Sequence, residues 1–169
     1  MHFLLRVFIK IKQIIWTKIA RRKICECKGD LKCNRKCDFN RNTFLGLNCN
    51  FNGMKIYGTG KVSIGDNFHS GVDCQIITSF HNYDTGTMIP YDESFVTKDV
   101  TIGNNVWIGN NVIILGGSNI DDGSIIQAGS VVCGGTIPAL GIAGGHPAKV
   151  FKYRNKEHYD SLVARGKVH

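Results

Sequence analysis

From Val100 to Val132 the apolar side chains recur every six residues. One track is Ile102, Ile108, Ile114, Ile120, Ile126 and Val132. Two residues earlier runs a second track, Val100, Val106, Val112, Ser118, Ser124 and Ser130, aliphatic at first and then small. A helix repeats at 3.6 residues and a strand at two, so neither produces a period of six. A six-residue unit with one apolar side cannot bury it alone and must stack on copies of itself, as in a solenoid. The remaining positions are mostly Gly, Asn and Asp, residues that tolerate left-handed backbone at a sharp corner. The pattern predicts a parallel β-helix with strands stacked about 4.8 Å apart.

The paired tracks extend upstream. Cys25, Leu31, Cys37, Thr43 and Cys49 form one, and Cys27, Cys33, Phe39, Leu45 and Phe51 the other. The register slips by one residue at Asn52-Gly53. It resumes with Ile56, Val62, Phe68 and Cys74, beside Gly58, Ile64, Ser70 and Ile76. The cysteines therefore read as small apolar core fillers, and they lack the paired C-x₂-C knuckles of a structural zinc site. No metal is expected. Between Ile76 and Ile102 the period fails, and the stretch 78–99, with Phe80-His81-Asn82-Tyr83-Asp84 and Met88-Ile-Pro-Tyr-Asp, is predicted to leave the solenoid as a loop. A long loop on a rigid scaffold is a usual place for function.

Both ends differ from the repeat. Residues 3–22 predict an amphipathic helix with Leu4, Phe8, Ile11, Ile15 and Ile19 on one face and Arg6, Lys10, Gln13, Thr17 and Arg21 on another. Such a helix either caps the open end of the solenoid or lies on an anionic membrane, and the two roles are compatible. After Val132 the repeat decays. Pro138 and Gly141–Gly145 break it, and Asn155 is a candidate N-cap for a short helix carrying Tyr159, Leu162 and Val163 and stopped by Gly166. The organisation is thus 1–24 basic helix, 25–137 β-helix with its loop, and 138–169 tail and short helix.

Charge sharpens this division. The net charge is +8, and eleven of the 21 Lys and Arg fall in residues 1–36, against only Glu26 and Asp30. The body is close to neutral, which argues against a nucleic-acid groove on the solenoid. Cations interrupt the apolar N-terminus, so neither a membrane span nor a secretory signal is expected there, and residence is expected to be cytoplasmic, with peripheral contact at the inner face of the membrane as an option.

The run Val-Thr-Ile-Gly-Asn-Asn-Val-Trp-Ile-Gly-Asn-Asn-Val, with Gln127-Ala-Gly-Ser-Val-Val and Ile142-Ala-Gly-Gly-His-Pro-Ala-Lys-Val, resembles the hexapeptide-repeat acyltransferases. Within them it is similar to the sugar O-acetyltransferases and xenobiotic acetyltransferases, over roughly residues 40–155. The resemblance implies a left-handed coil with three faces, hence about five coils from the fifteen units. It implies acetyl-CoA as donor, a homotrimer, and a sugar hydroxyl as acceptor, in a bacterial surface polysaccharide or its precursor. A His at the start of the loop acts as general base in such enzymes, and His81 occupies that place. Asp84 or a backbone carbonyl would orient it. Asn82, Tyr83 and Trp107 are candidates for the acceptor, Trp107 also for the pantetheine channel. The cofactor path maps onto Asn110, Ala128, Cys133, Gly134, Lys149 and Lys152. A Thr-Lys pair is common where this chain has Cys133-Gly134, so one phosphate-facing charge is missing, and Arg154 is a candidate replacement.

Four other readings compete with this one. A metal-dependent hydratase of the γ-carbonic-anhydrase type needs three converging His, and only His69 and His81 lie near the repeats. A non-catalytic scaffold would not need His81. An N-acetyltransferase on an amino sugar, or a xenobiotic acetyltransferase, would use the same base on a different acceptor. Serine acetyltransferase is disfavoured because its long helical N-terminal domain is absent.

Overall fold

A computed structural model describes residues 2–169; Met1, counted in the predicted basic segment, lies outside the described residues. The chain folds as a left-handed parallel β-helix between two helices. Each coil visits three faces in turn. The first face stacks Glu26–Cys27, Thr43–Leu45, Val62–Ile64, Val100–Ile102, Ser118–Ile120 and Gly135–Ile137. The second stacks Leu31–Arg35, Cys49–Asn52, His69–Val72, Trp107–Ile108, Ile125–Ile126 and Gly141–Gly145. Ala148–Tyr153 turns back antiparallel on the last of these. The third face stacks Lys55–Tyr57, Gln75–Ile77, Ile113–Leu115 and Val131–Val132, with a bridge at Asp38 below them.

Cross-strand partners show why six is the period. Thr101 pairs with Asn119 and Trp107 with Ile125, so one coil is three six-residue units. The two tracks point inward. Ile108, Ile114, Ile120, Ile126, Val106 and Val112 are fully buried, as are Cys33, Phe51, Phe68 and Cys74. At the corners Asn48, Asn67 and Asn105 adopt positive φ. Their side chains form a ladder in which Asn48 Nδ2 donates to Asn67 Oδ1 at 3.0 Å and Asn67 Nδ2 to Asn105 Oδ1 at 2.9 Å. Each rung thus satisfies the next one's polar groups at a place where no strand can.

Burial pushes the Cys49 thiol up to about 12 and raises Cys74 likewise. A hydrogen bond with Cys37, together with burial, holds the Cys33 thiol protonated. These are inert packing groups. Cys25 is the exception among the upstream cysteines: it is exposed where the chain enters the first coil.

Three features differ from the sequence reading. First, the solenoid continues past the decay of the repeat, since Gly141–Gly145 still adds a strand to the second face. Second, the segment 78–99 is a hairpin at its base, Ser79–His81 pairing antiparallel with Phe95–Thr97. Third, the N-terminal helix α1 (His2–Arg21) caps the solenoid with an unexpected face. Ala20 is buried, Trp16 packs on the core, and Thr17 Oγ1 accepts from the free edge amide of Cys33 at 3.0 Å. The apolar residues Leu4, Phe8, Ile11 and Ile15 remain exposed. The open edge offers amides as well as apolar surface, and a hydroxyl satisfies an amide where an aliphatic side chain cannot.

The C-terminal helix α2 (Lys156–Ala164) is capped as expected. Asn155 Oδ1 accepts from His158 N at 2.7 Å, and Gly166 takes φ +63° beyond its end. Tyr159 anchors it to the corner ladder, its hydroxyl accepting from Asn105 Nδ2 at 2.9 Å.

Candidate functional site

The hairpin leaves the solenoid at the corner between the third and first faces. His81 ends its outgoing strand, directly opposite Phe95. The imidazole stacks on Tyr91, with centroids 4.0 Å apart and planes 17° from parallel, and lies 4.4 Å from the Phe95 ring. Two aromatic rings thus fix its plane. Nδ1 is buried and has no hydrogen-bond partner among the described residues. Such an atom costs about 1–3 kcal/mol unless something outside the chain satisfies it. Asp84 is exposed, and no hydrogen bond joins it to His81.

The tip of the hairpin is held by short polar side chains. Asn82 Oδ1 accepts from the amide and the hydroxyl of Thr85, both at 3.1 Å, so its carbonyl is engaged in the turn. Asp92 accepts from the amides of Thr87 and Ser94, each at 2.9 Å, and from their hydroxyls. The Ser94 hydroxyl first, and then these amides, hold its carboxyl at about 2. Tyr83 is largely exposed, with its ring 6.1 Å from Phe80.

Trp107, Asn110 and Ala128 gather elsewhere. Trp107 projects from the second face, 54% exposed, between His69 and Ile125 in the cross-strand column. Beside it opens a groove of about 330 Å³ lined by Trp107, Asn110, Gln127, Ala128, Ile142 and Phe151. The groove reaches the corner between the second and third faces, where successive coils approach closely. A Cβ on Gly109 would lie 2.5 Å from the Ala128 amide. Asn110 Oδ1 accepts from Val72 N at 2.8 Å and is thereby fixed in the corner. Lys149 and Lys152 lie on the antiparallel return strand, opposite Gly144 and Ile142, and both are exposed.

Cys133 and Gly134 stand at the other corner, that of the hairpin. Gly134 and Gly135 take φ +94° and +74°. In that left-handed backbone a side chain at either position would be strained. Arg154, the candidate replacement, lies away from this corner. Its guanidinium donates to Gly123 O at 3.0 Å and lies 4.8 Å from the Tyr159 ring, tethering α2 at a third corner.

The expected site residues therefore fall into two groups in one chain, and the third face separates them. His81, Cys133 and Gly134 are at one edge of that face; Asn110 and Ala128 are at the other. The face between carries Ile77, Ile113, Leu115 and Val131 outward and half-buried, with Gln75 and Lys55 in the same outward column on the earlier coils. The sequence reading missed Tyr91 and Phe95. Their signal was present as two aromatics in a polar loop, but only the hairpin register places them against His81. Among the described residues no three His, Cys, Asp or Glu converge as a metal site requires.

Residues 99–134 match the family model of the bacterial transferase hexapeptide (six repeats). No curated protein matches the chain. Among solved structures it is similar to a maltose O-acetyltransferase from Clostridium difficile 630, at 28% identity and TM-score 0.71, over 89% of this chain and 87% of that one. It is similar to a galactoside acetyltransferase in complex with coenzyme A, at 26% identity and TM-score 0.72, over 84% and 71%. A hexapeptide-repeat acetyltransferase from Vibrio cholerae O1 biovar eltor, complexed with acetyl coenzyme A, shares the fold at 23% identity and TM-score 0.64, over 79% and 72%.

Proposed function

From a left-handed β-helix built on the bacterial-transferase hexapeptide, we propose an acetyl-CoA-dependent O-acetyltransferase with a sugar hydroxyl as acceptor. The observation that carries the reading is His81, a half-buried imidazole clamped between Tyr91 and Phe95 at the mouth of the hairpin. The similarity to the maltose and galactoside enzymes supports the acetyl donor and the sugar class.

In the proposed reaction Nε2 of His81 takes the proton from the acceptor hydroxyl. The oxygen attacks the thioester carbonyl, and the tetrahedral intermediate collapses by breaking the carbon–sulfur bond. The departing thiolate takes the proton back from the imidazolium, so the base is restored and coenzyme A leaves as the thiol. Acting this way, the neutral ring carries its proton on Nδ1, and that N–H needs an acceptor the chain itself does not provide.

A homotrimer completes the site. A threefold ring with the third faces turned inward buries Ile77, Ile113, Leu115 and Val131. It also sets the hairpin edge of one chain beside the Asn110–Ala128 edge of the next. Trp107 and the groove then flank the acyl chain, and Lys149 and Lys152 stand at its phosphate end. The Nδ1 acceptor is expected from the neighbouring subunit, since Asp84, the candidate within the loop, makes no hydrogen bond to His81 in the single chain. Asn82 Nδ2 and Tyr83 face the acceptor sugar. The acceptor itself we take to be a surface glycan or its lipid-linked precursor, which places the enzyme in the cytoplasm, at the inner face of the membrane.

The test is mass spectrometry of candidate glycans and amino sugars incubated with the protein and acetyl-CoA. A gain of one acetyl group on a hydroxyl is expected, and His81→Ala is expected to lower turnover by about 10²–10⁴-fold with coenzyme A affinity nearly unchanged. Acetylation of an amine alone reassigns the acceptor. Full activity of His81→Ala removes the base.

A further inference from the structure

The N-terminal helix α1 uses only one of its faces, and only its second half, to cap the solenoid. Gln13, Trp16, Thr17 and Ala20 meet the first coil, with Arg21 donating to Gly29 O at 2.7 Å. At 100° per residue, Leu4, Val7, Phe8, Ile11, Ile14 and Ile15 fall roughly opposite that face. They are between 41% and 73% exposed. Because the Cys33 amide that Thr17 receives is the free edge of the stack, the helix lies where the next rung would lie. Its apolar side therefore faces away from the solenoid, along the axis of the stack.

We infer that this face of α1 is a docking surface for an anionic lipid bilayer, on which the protein lies with the N-terminal end of the β-helix toward the membrane. Charge selects this occupant. Lys10 edges the apolar strip on one side and Lys12 on the other, and Lys18 falls in line with it beyond Ile15. No acidic residue precedes Glu26. A second copy of the same face would bring like charges together with nothing to neutralise them. An anionic bilayer offers the apolar phase and the counter-charge at once, and long Lys and Arg stems can keep their charges in the headgroups while the strip enters the interface. No helix among the described residues is long and apolar enough to cross a membrane, so α1 lies in the interface rather than through it.

The single helix makes this inference without the functional reading, but its strength in the assembly rests on the proposed trimer. A threefold ring with the third faces inward runs parallel to the stack axis. All three copies of α1 then sit on one base and face the same way, so they bind one surface together and add by avidity.

The test uses the full chain with vesicles of phosphatidylcholine alone and with about one third phosphatidylglycerol, followed by co-sedimentation. Binding to the anionic vesicles is expected to be at least about tenfold tighter than to neutral ones, and to fall by about tenfold or more between 0.05 and 0.5 M salt. Phe8→Glu with Ile11→Glu is expected to abolish it, and so is Lys10→Glu with Lys12→Glu. Both pairs are exposed on the outer part of the helix, so the oligomeric state and the turnover of a soluble acceptor are expected to stay at the parent's level. If the full chain ignores anionic vesicles at low salt, the inference is overturned. A change of oligomeric state in the Phe8→Glu, Ile11→Glu variant without lipid also overturns it, because the face then packs on protein. Vesicle binding by a chain that transfers no acetyl group would sink the functional reading and leave this one standing.

Discussion

At the scale of the residue, Asp92 governs the hairpin more than its half-buried place at the tip suggests. Four hydrogen bonds from Thr87 and Ser94 converge on its carboxylate. They hold it at about 2, below the ordinary value of about 3.9. A carboxyl depressed by folding stabilises the folded tip at every pH above the unfolded value. That support is lost as pH falls from about 4 through about 2 and is constant across the neutral range. Asp92→Asn should reproduce the acid behaviour at neutral pH. The Thr87 and Ser94 amides are expected to exchange hydrogen faster, and turnover to fall by roughly tenfold as the Tyr91 wall on His81 loosens. Unchanged exchange at both amides would show that other contacts hold the tip.

At the scale of the element, the return strand Ala148–Tyr153 gives a strand on the antiparallel edge a task the parallel coils do not have. Val150 turns toward the core while Lys149, Phe151 and Lys152 stay exposed, so one short strand both closes the second face and carries two cations beside the Trp107 groove. A point charge on a flexible stem suits a phosphate at the end of a long cofactor. Lys149→Ala and Lys152→Ala should each weaken coenzyme A binding by about two- to fivefold, as expected for an exposed charge pair of up to about 1 kcal/mol. Dephospho-coenzyme A should feel the change less. Titration calorimetry with the two cofactors decides this; equal losses for both would move the lysines off the 3′-phosphate.

At the scale of the whole molecule, the proposed site is divided between two corners. A single chain presents the His81 hairpin and the Trp107 groove on either side of the third face, and in the proposed reaction one molecule of acetyl-CoA serves only if both meet. Light scattering should therefore report three times the chain mass of 18.7 kDa. Ile113→Glu, at the centre of the third face, should yield monomers with little turnover. A monomer with full activity would refute the assembly.

The period of six, read from the sequence, already determined the coil, the inward tracks, the corner residues and the place where the chain departs from the solenoid. These follow from chemistry that repeats locally: an aliphatic side chain every sixth residue has one way to be buried, and Asn or Gly marks each corner. The C-terminal cap at Asn155 was legible for the same reason, since a cap is a matter of three or four neighbouring residues. The contact of His81 with Tyr91 was not legible. It joins residues ten apart across a hairpin whose register depends on the pairing of Ser79–His81 with Phe95–Thr97. Nor was the face with which α1 packs. Periodicity showed where its apolar stripe lies, but only the free edge of the first coil, with amides to satisfy, decided that Thr17 and Ala20 would turn inward and leave the stripe outside.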